Sequence, residues 1–131
     1  MRTVALDTCE YAAFKRGDAT AIDLIARADR IVIPLPVLAE LRAGFRGGSR
    51  EARNLDELER FLSSPRVEVP PMTEQTAILY AEVFATLKNK GTRVPINDVW
   101  IAAVSLEQGA ILYSRDEHFV RIEGLPLNLP L

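Results

Sequence analysis

The sequence contains very few residues that form disulfides or bind transition metals. Its 131 residues include one cysteine, Cys9, and one histidine, His118. A single cysteine excludes an intramolecular disulfide, and nothing in the sequence indicates an oxidising compartment. We expect His118 to be a surface residue rather than a metal ligand, because no set of histidines or thiolates accompanies it.

Long apolar runs and an excess of charge of one sign are also missing. No apolar run approaches the roughly 18 residues that a membrane span needs, and the first residues do not form a signal peptide. We therefore expect a soluble, cytoplasmic protein with no membrane contact. The formal net charge of −2 does not indicate a nucleic-acid-binding protein. It does not exclude one whose basic residues cluster on one face.

The composition is that of an ordinary globular chain, with 48% hydrophobic and 26% charged residues. This length suits one domain, which we assign to residues 1–131. Short apolar strands alternate with helical patterns, which predicts an α/β fold with a parallel central sheet of about four to five strands flanked by helices. The predicted strands are 3–6, 30–33, 67–69, 110–113 and an edge strand at 127–129 between Pro126 and Pro130.

Helix signals separate these strands. Gly17 ends the first helix, and Asp18, Ser49 and Thr73 are predicted N-caps of later helices. In the second helix, Ile22 is predicted to face inward together with its apolar neighbours.

Four acidic residues stand at unusual places in this pattern. Asp7 ends the first strand, Asp116 follows the strand 110–113, Glu40 interrupts an apolar helix, and Asp98 opens a helix that is apolar on most faces. Each also has a simple structural explanation. The three aspartates can cap helices or turns, and Glu40 can point to solvent.

Taken together, the acids predict a cation site. Ligands of an open parallel sheet bind outside the carboxyl ends of its strands, and clustered carboxylates repel one another unless cations lie among them. Thr8, Ser114 and Asn97 can add hydroxyl and amide oxygens. Oxygen ligands favour Mg²⁺ or Mn²⁺ over Zn²⁺, and we expect one or two ions.

The acidic motifs resemble those of a known family. Asp7 in VALDTCEY, Glu40 in VLAELRAG, Asp98 in PINDVWIAA and Asp116 in LYSRDEHF are similar, in order and spacing, to the motifs of PIN-domain ribonucleases. More closely, the whole chain resembles the VapC-type toxins of toxin–antitoxin pairs. The resemblance implies a Mg²⁺- or Mn²⁺-dependent endoribonuclease, an RNA substrate, a VapB-type antitoxin partner and a homodimer.

The resemblance also implies roles for individual residues. The four acids carry over as the catalytic, metal-binding site, and Ser114 carries over as a supporting polar residue. We expect Asp7 and Asp98 to ligate directly, Glu40 to ligate through water or take a proton from the nucleophile, and Asp116 to complete the cage. For Asn97 we expect a helix cap.

Basic residues must hold the RNA backbone around an acidic site, and the candidates near the acids are Arg42, Arg46 and Arg115.

One position departs from the family, since Cys9 stands where Asn or Ser is common. This departure is the reason for an alternative function, a catalytically impaired PIN-like module that binds RNA or a protein partner. A metal-dependent phosphatase or receiver domain fits less well. Such a phosphatase usually has a second Asp two residues after the first, where this chain has Cys9, and a receiver domain needs an acidic pair near the first strand and a Lys late in the chain, whereas no Lys follows Lys90.

Overall fold

The computed structural model describes residues 2–129, and within them five short parallel strands form one sheet. In chain order the strands are β1 (Thr3–Leu6), β2 (Arg30–Val32), β3 (Val67–Glu68), β4 (Ile111–Tyr113) and β5 (Leu127–Asn128). Their order across the sheet is β3-β2-β1-β4-β5, and all four pairs are parallel. The predicted parallel sheet is confirmed. Pro130, one of the two prolines that predicted the edge strand, lies outside the described residues.

Helices connect the strands and cover the sheet. They are α1 (Thr8–Lys15), α2 (Ala19–Arg27), α3 (Leu35–Arg46), α4 (Glu51–Leu62), α5 (Glu74–Asn89) and α6 (Ile96–Glu107), and a 3₁₀ helix spans Glu117–Arg121. No helix in the described part of the chain is long and apolar enough to cross a lipid bilayer.

The strand order determines where a ligand can bind. From β1 the chain moves outward through β2 and β3 on one side, and β4 and β5 extend the sheet on the other. The sheet therefore has a topological switch between β1 and β4, where the connections diverge and leave a crevice at the carboxyl ends. The backbone N–H of Asp7 donates to the carbonyl of Tyr113 at 3.1 Å, so the ends of both strands are held together at this point.

The core lies on both faces of the central strands. Val4, Ala5 and Leu6 of β1 are fully buried, as expected for a parallel strand covered by helices on each side. Helix α6 is buried through most of its length, from Val99 to Ser105 with Trp100 half-buried. This burial confirms the prediction made from its apolar sequence.

Two local predictions need correction. Asp18 caps α2 by accepting from the N–H of Ala21 at 3.0 Å, but Ser49 does not cap α4, since the chain turns once more and the helix begins after Arg50. Ile22 is 44% exposed. It lies one residue, and so about 100° of helix rotation, away from the inward face of α2.

Candidate active site

A crevice of about 650 Å³ opens at the carboxyl ends of β1 and β4. The four acids selected from the sequence all line it, and each comes from a different element: Asp7 from the end of β1, Glu40 from α3, Asp98 from the first turn of α6, and Asp116 from the turn before the 3₁₀ helix. The structure thus brings together residues that are far apart in the chain.

Asp7 is both a helix cap and a wall of the crevice. One carboxylate oxygen accepts from the N–H of Thr8 at 2.8 Å, and the other accepts from the hydroxyl of Ser114 at 2.7 Å. The residue is 6% exposed. These bonds hold the carboxylate in one orientation at the edge of the crevice.

Asp98 does not act as a cap. Helix α6 begins at Ile96, with Pro95 as the N-cap residue and no side-chain cap hydrogen bond. Within residues 2–129 the Asp98 carboxylate contacts the His118 side chain rather than a backbone amide. Burial, followed by repulsion from the charges of Asp116 and Asp7, raises its pKa from 3.8 to about 6, with His118 partly opposing the shift. The capping explanation is therefore wrong for Asp98, and its carboxylate has an energetic reason to attract a cation.

A hydrogen bond between Asn97 and Glu40 joins the start of α6 to α3. The amide nitrogen of Asn97 donates to Oε1 of Glu40 at 2.6 Å, so the predicted capping role of Asn97 is wrong because its side chain is used by a residue of α3. Glu40 is an exposed residue overall, yet its carboxylate lines the crevice. Burial, followed by repulsion from Asp7, raises its pKa.

His118 is partly exposed, as expected for a surface residue, and it also lines the crevice. Its Nδ1 lies 3.0 Å from Oδ1 of Asp116 and 3.4 Å from Oδ2 of Asp98, although 42% of the side chain is exposed. Potential ligand atoms of these three residues lie within 4.8 Å of one another. The spacing of His118 two residues after Asp116, at the start of a helical turn, is the sequence signal that could have located it.

Cys9 contributes weak hydrogen bonds to the same wall. Its thiol donates to Asp7 Oδ2 at 3.4 Å and accepts from the N–H of Arg115 at 3.3 Å. Burial raises the pKa of this thiol, so it is protonated and unreactive near neutral pH. A small hydrogen-bonding side chain is thus retained at the position that departs from the family.

Arg115 is held by two acids that the sequence did not place at the site: Glu10, and Asp18, which was predicted only as a helix cap. Its Nε donates to Oε2 of Glu10 at 3.1 Å, and a terminal nitrogen donates to Oδ1 of Asp18 at 3.0 Å. Glu10 is completely buried. The three side chains tie the turn that carries Ser114 and Asp116 to α1 and α2. Nothing in the local sequence distinguishes Glu10 from an exposed helical glutamate.

Comparison with known proteins identifies the family. The PIN domain profile matches residues 4–125. The Ribonuclease VapC2 of Rickettsia felis is 32% identical over 127 residues, which cover 93% of each chain. This chain belongs to the VapC ribonucleases of the PIN-domain family. It is an enzyme of the nuclease class, as the acidic motifs predicted.

Solved structures agree with this VapC assignment. VapBC2 from Rickettsia felis, bound to a promoter DNA fragment, has a TM-score of 0.86 at 27% identity and covers 98% of this chain and 99% of that chain. VapBC-1 from nontypeable Haemophilus influenzae has a TM-score of 0.84 at 26% identity, with 97% of each chain covered. The PIN-like fold is therefore confirmed over nearly the whole chain.

The residues of this VapC-type site fit the divalent cation on which PIN-domain nucleases depend. The donors are carboxylate oxygens from Asp7, Asp98 and Asp116, with Glu40 beside them, and hard divalent ions prefer such ligands. The raised pKa of Asp98 and of Glu40 reflects burial and repulsion that a cation would offset. His118 adds one nitrogen donor, which Mn²⁺ accepts more readily than Mg²⁺ does.

The other basic candidates lie outside the crevice of this VapC domain. Arg42 and Arg46 are exposed on α3, the helix that also carries Glu40. Within residues 2–129, neither guanidinium forms an ion pair with a carboxylate. Thr8, the remaining supporting residue, lines the crevice and supplies the N–H that holds Asp7.

Proposed function

We propose that this VapC ribonuclease is an endoribonuclease toxin that hydrolyses RNA phosphodiester bonds with one or two Mg²⁺ or Mn²⁺ ions. The observation that carries the proposal is the convergence of four acids from four elements on one crevice, where the pKa of Asp98 is raised to about 6. A group of carboxylates under such repulsion is suited to hold cations next to an anionic substrate.

The chain's residues have separate tasks in this mechanism. Asp7, Asp98 and Asp116 would hold the ion, and Ser114 and Thr8 fix the orientation of Asp7 through their hydrogen bonds. A divalent ion held by these residues would supply a water of lowered pKa and positive charge against the phosphate. Glu40 lines the same crevice and its pKa is raised, so it would serve as the base that takes a proton from the nucleophile. Asn97 fixes Glu40 by donating to its carboxylate.

The partner we propose is a VapB-type antitoxin. The solved relatives described above are VapBC assemblies, and an antitoxin would keep the toxin inactive in the cell. The expected homodimer remains a prediction. Its simplest candidate surface is the exposed side of α5, where Phe84 is 45% and Ile78 46% exposed.

Cleavage of a mixed RNA pool tests the function directly. The purified chain is expected to cut RNA with Mg²⁺ or Mn²⁺ and to lose this activity in EDTA. Asp98→Asn, purified identically, controls for contaminating nuclease. Equal activity in the two proteins, or activity that persists in EDTA, would contradict the proposal.

Salt dependence tests the roles of Arg42 and Arg46. Each phosphate contact contributes a slope of about −0.7 to log affinity against log salt for single-stranded nucleic acid. We expect RNA affinity in EDTA to fall steeply with KCl, and Arg42→Gln/Arg46→Gln to weaken binding several-fold with a shallower slope. An affinity that does not change between low and moderate salt would remove both arginines from the RNA interface.

A further inference from the structure

A second pocket with strongly basic walls adjoins the acidic crevice. It has a volume of about 300 Å³ and lies between α1, α3 and the start of α4. Its cationic side chains are Lys15 and Arg16 at the end of α1 and Arg50 and Arg53 around the start of α4. We call it the basic pocket. Ala12 lines both this pocket and the acidic crevice, so the two are neighbours along α1.

The basic pocket has a large surplus of positive charge. The carboxylate in its lining is Glu57, which binds Lys15 at 2.8 Å and Arg53 at 3.2 Å. Arg16 and Arg50 are exposed, and neither forms an ion pair with a carboxylate in the part of the chain that the structure describes. Four cations against one carboxylate favour an anionic ligand.

The floor of the basic pocket is apolar and firmly packed. Leu41 is 5% exposed, and Tyr11 is held edge-on against Phe61 with ring centroids 5.3 Å apart. Phe45 lines the same floor and is half-buried. An apolar floor beneath a cationic rim suits a nucleotide, whose base packs on apolar surface while its phosphate contacts the cations.

Helix α1 sets the distance between the two sites. Its first residue, Thr8, lines the acidic crevice and its last, Lys15, lines the basic pocket. A helix rises 1.5 Å per residue, so these positions are about 10 Å apart. A short single strand of RNA can therefore extend from one site to the other.

We propose that the basic pocket binds a backbone phosphate of the substrate RNA a short distance from the scissile bond. This inference rests on the proposed ribonuclease function and adds a second point of attachment to it. With the reacting phosphate at the acids and a neighbouring phosphate in the basic pocket, the strand has a defined direction across α1. The enzyme then cuts longer RNA better than a substrate with a single phosphodiester.

A pair of charge-matched variants tests the inference. Arg16→Gln/Arg50→Gln removes the two unpaired cations of the basic pocket. Arg27→Gln/Lys88→Gln lowers the net charge equally, but its residues lie on α2 and α5 and line neither pocket. Both variants are first checked for an unchanged thermal transition. Affinity for a fluorescent single-stranded RNA is then measured in EDTA at several KCl concentrations, where no metal-dependent cleavage occurs.

The pocket variant is expected to bind the RNA about tenfold more weakly than the control variant, with the salt slope reduced by about 0.7 for each lost contact. Its kcat/KM should fall on long RNA and stay unchanged on a dinucleoside monophosphate. Equal RNA binding by the two variants overturns the inference. So does a pocket variant that binds RNA normally but escapes inhibition by its cognate VapB-type antitoxin, since the pocket would then serve a protein. If the unsubstituted chain cleaves no RNA, the proposed function fails, and the binding comparison still decides the pocket.

Discussion

Asp98→Asn is expected to raise the melting temperature of the metal-free protein at pH 7.5 and, in the same molecule, to abolish RNA cleavage. The folded protein raises the pKa of Asp98 from 3.8 to about 6, so the native state holds the proton more tightly than the unfolded chain does. Ionisation of Asp98 therefore opposes folding. The neutral amide of asparagine removes that opposition while losing the charged ligand.

The pH dependence follows from the direction of this shift. Below about pH 4 the Asp98 carboxyl is protonated in both the folded and the unfolded state, so it does not lower the stability of the fold. Between pH 4 and 6 the unfolded chain loses the proton first, so stability falls as the pH rises, and above pH 6 the full cost remains. At 1.36 kcal/mol per pH unit the cost is at most about 3 kcal/mol, and the side chain is 14% exposed.

Thermal melts in EDTA at pH 4.5 and pH 7.5 measure this cost. We expect Asp98→Asn to melt several degrees above the natural chain at pH 7.5 and the difference to shrink at pH 4.5. Asp23→Asn is the control, because Asp23 is 62% exposed in a surface ion pair and should not shift the transition. A lower melting temperature for Asp98→Asn at pH 7.5 would contradict the prediction.

Added metal should reverse the order of stability. An ion at 1,000 times its dissociation constant stabilises the native state by about 4.1 kcal/mol, which exceeds the cost of the ionised Asp98. Mg²⁺ or Mn²⁺ at that level should therefore raise the transition of the natural chain above that of Asp98→Asn, whose own transition should barely move. Cleavage by the variant should fall by about 100-fold or more, since removing a residue that merely orients a ligand already costs about 10- to 100-fold.

Arg115→Met is expected to destabilise the fold by about 3 kcal/mol. Glu10 is completely buried, and Arg115 donates to it at 3.1 Å. Removal of one partner leaves an uncompensated charge in the interior, which typically costs 3–5 kcal/mol. We expect the lower end of this range because the Arg115 side chain is 30% exposed, so solvent already screens part of the interaction. Urea denaturation at neutral pH measures the effect.

The double variant Glu10→Leu/Arg115→Met gives the comparison that separates charge from packing. Replacing both partners removes the buried charge, so its free energy of unfolding should return to within about 1 kcal/mol of the natural chain. Arg60→Met is the control, since Arg60 is 77% exposed in a surface pair. If the single and double variants are equally unstable, the buried pair is not the cause.

The same double variant tests the expected RNA contact of Arg115. In the structure its guanidinium is bound to Glu10 and Asp18. If the double variant recovers stability and also binds RNA like the natural chain, Arg115 positions the turn after β4. If stability returns without RNA affinity, Arg115 contacts the substrate as well.

The sequence alone determined the fold class and the order of the acids. The central strands can be recognised in the sequence as short apolar runs because they are buried on both faces, as Val4 to Leu6 are. Asp7 could be selected because a residue that follows a parallel strand must lie at the carboxyl edge of the sheet. The same position makes it a cap of α1, so the capping explanation of Asp7 is confirmed, and its role in holding a metal ion stays a prediction.

Only the tertiary structure decided which side chains meet. Its position at the start of a helix predicts that Asn97 is a cap, but its side chain binds Glu40, 57 residues away in sequence. Glu10 reads as an ordinary helical acid until the turn after β4 brings Arg115 to it. His118 reads as a surface residue until Asp98 and Asp116 enclose its Nδ1. Each of these contacts joins distant segments, and periodicity and capping rules describe only neighbours within a turn or a strand.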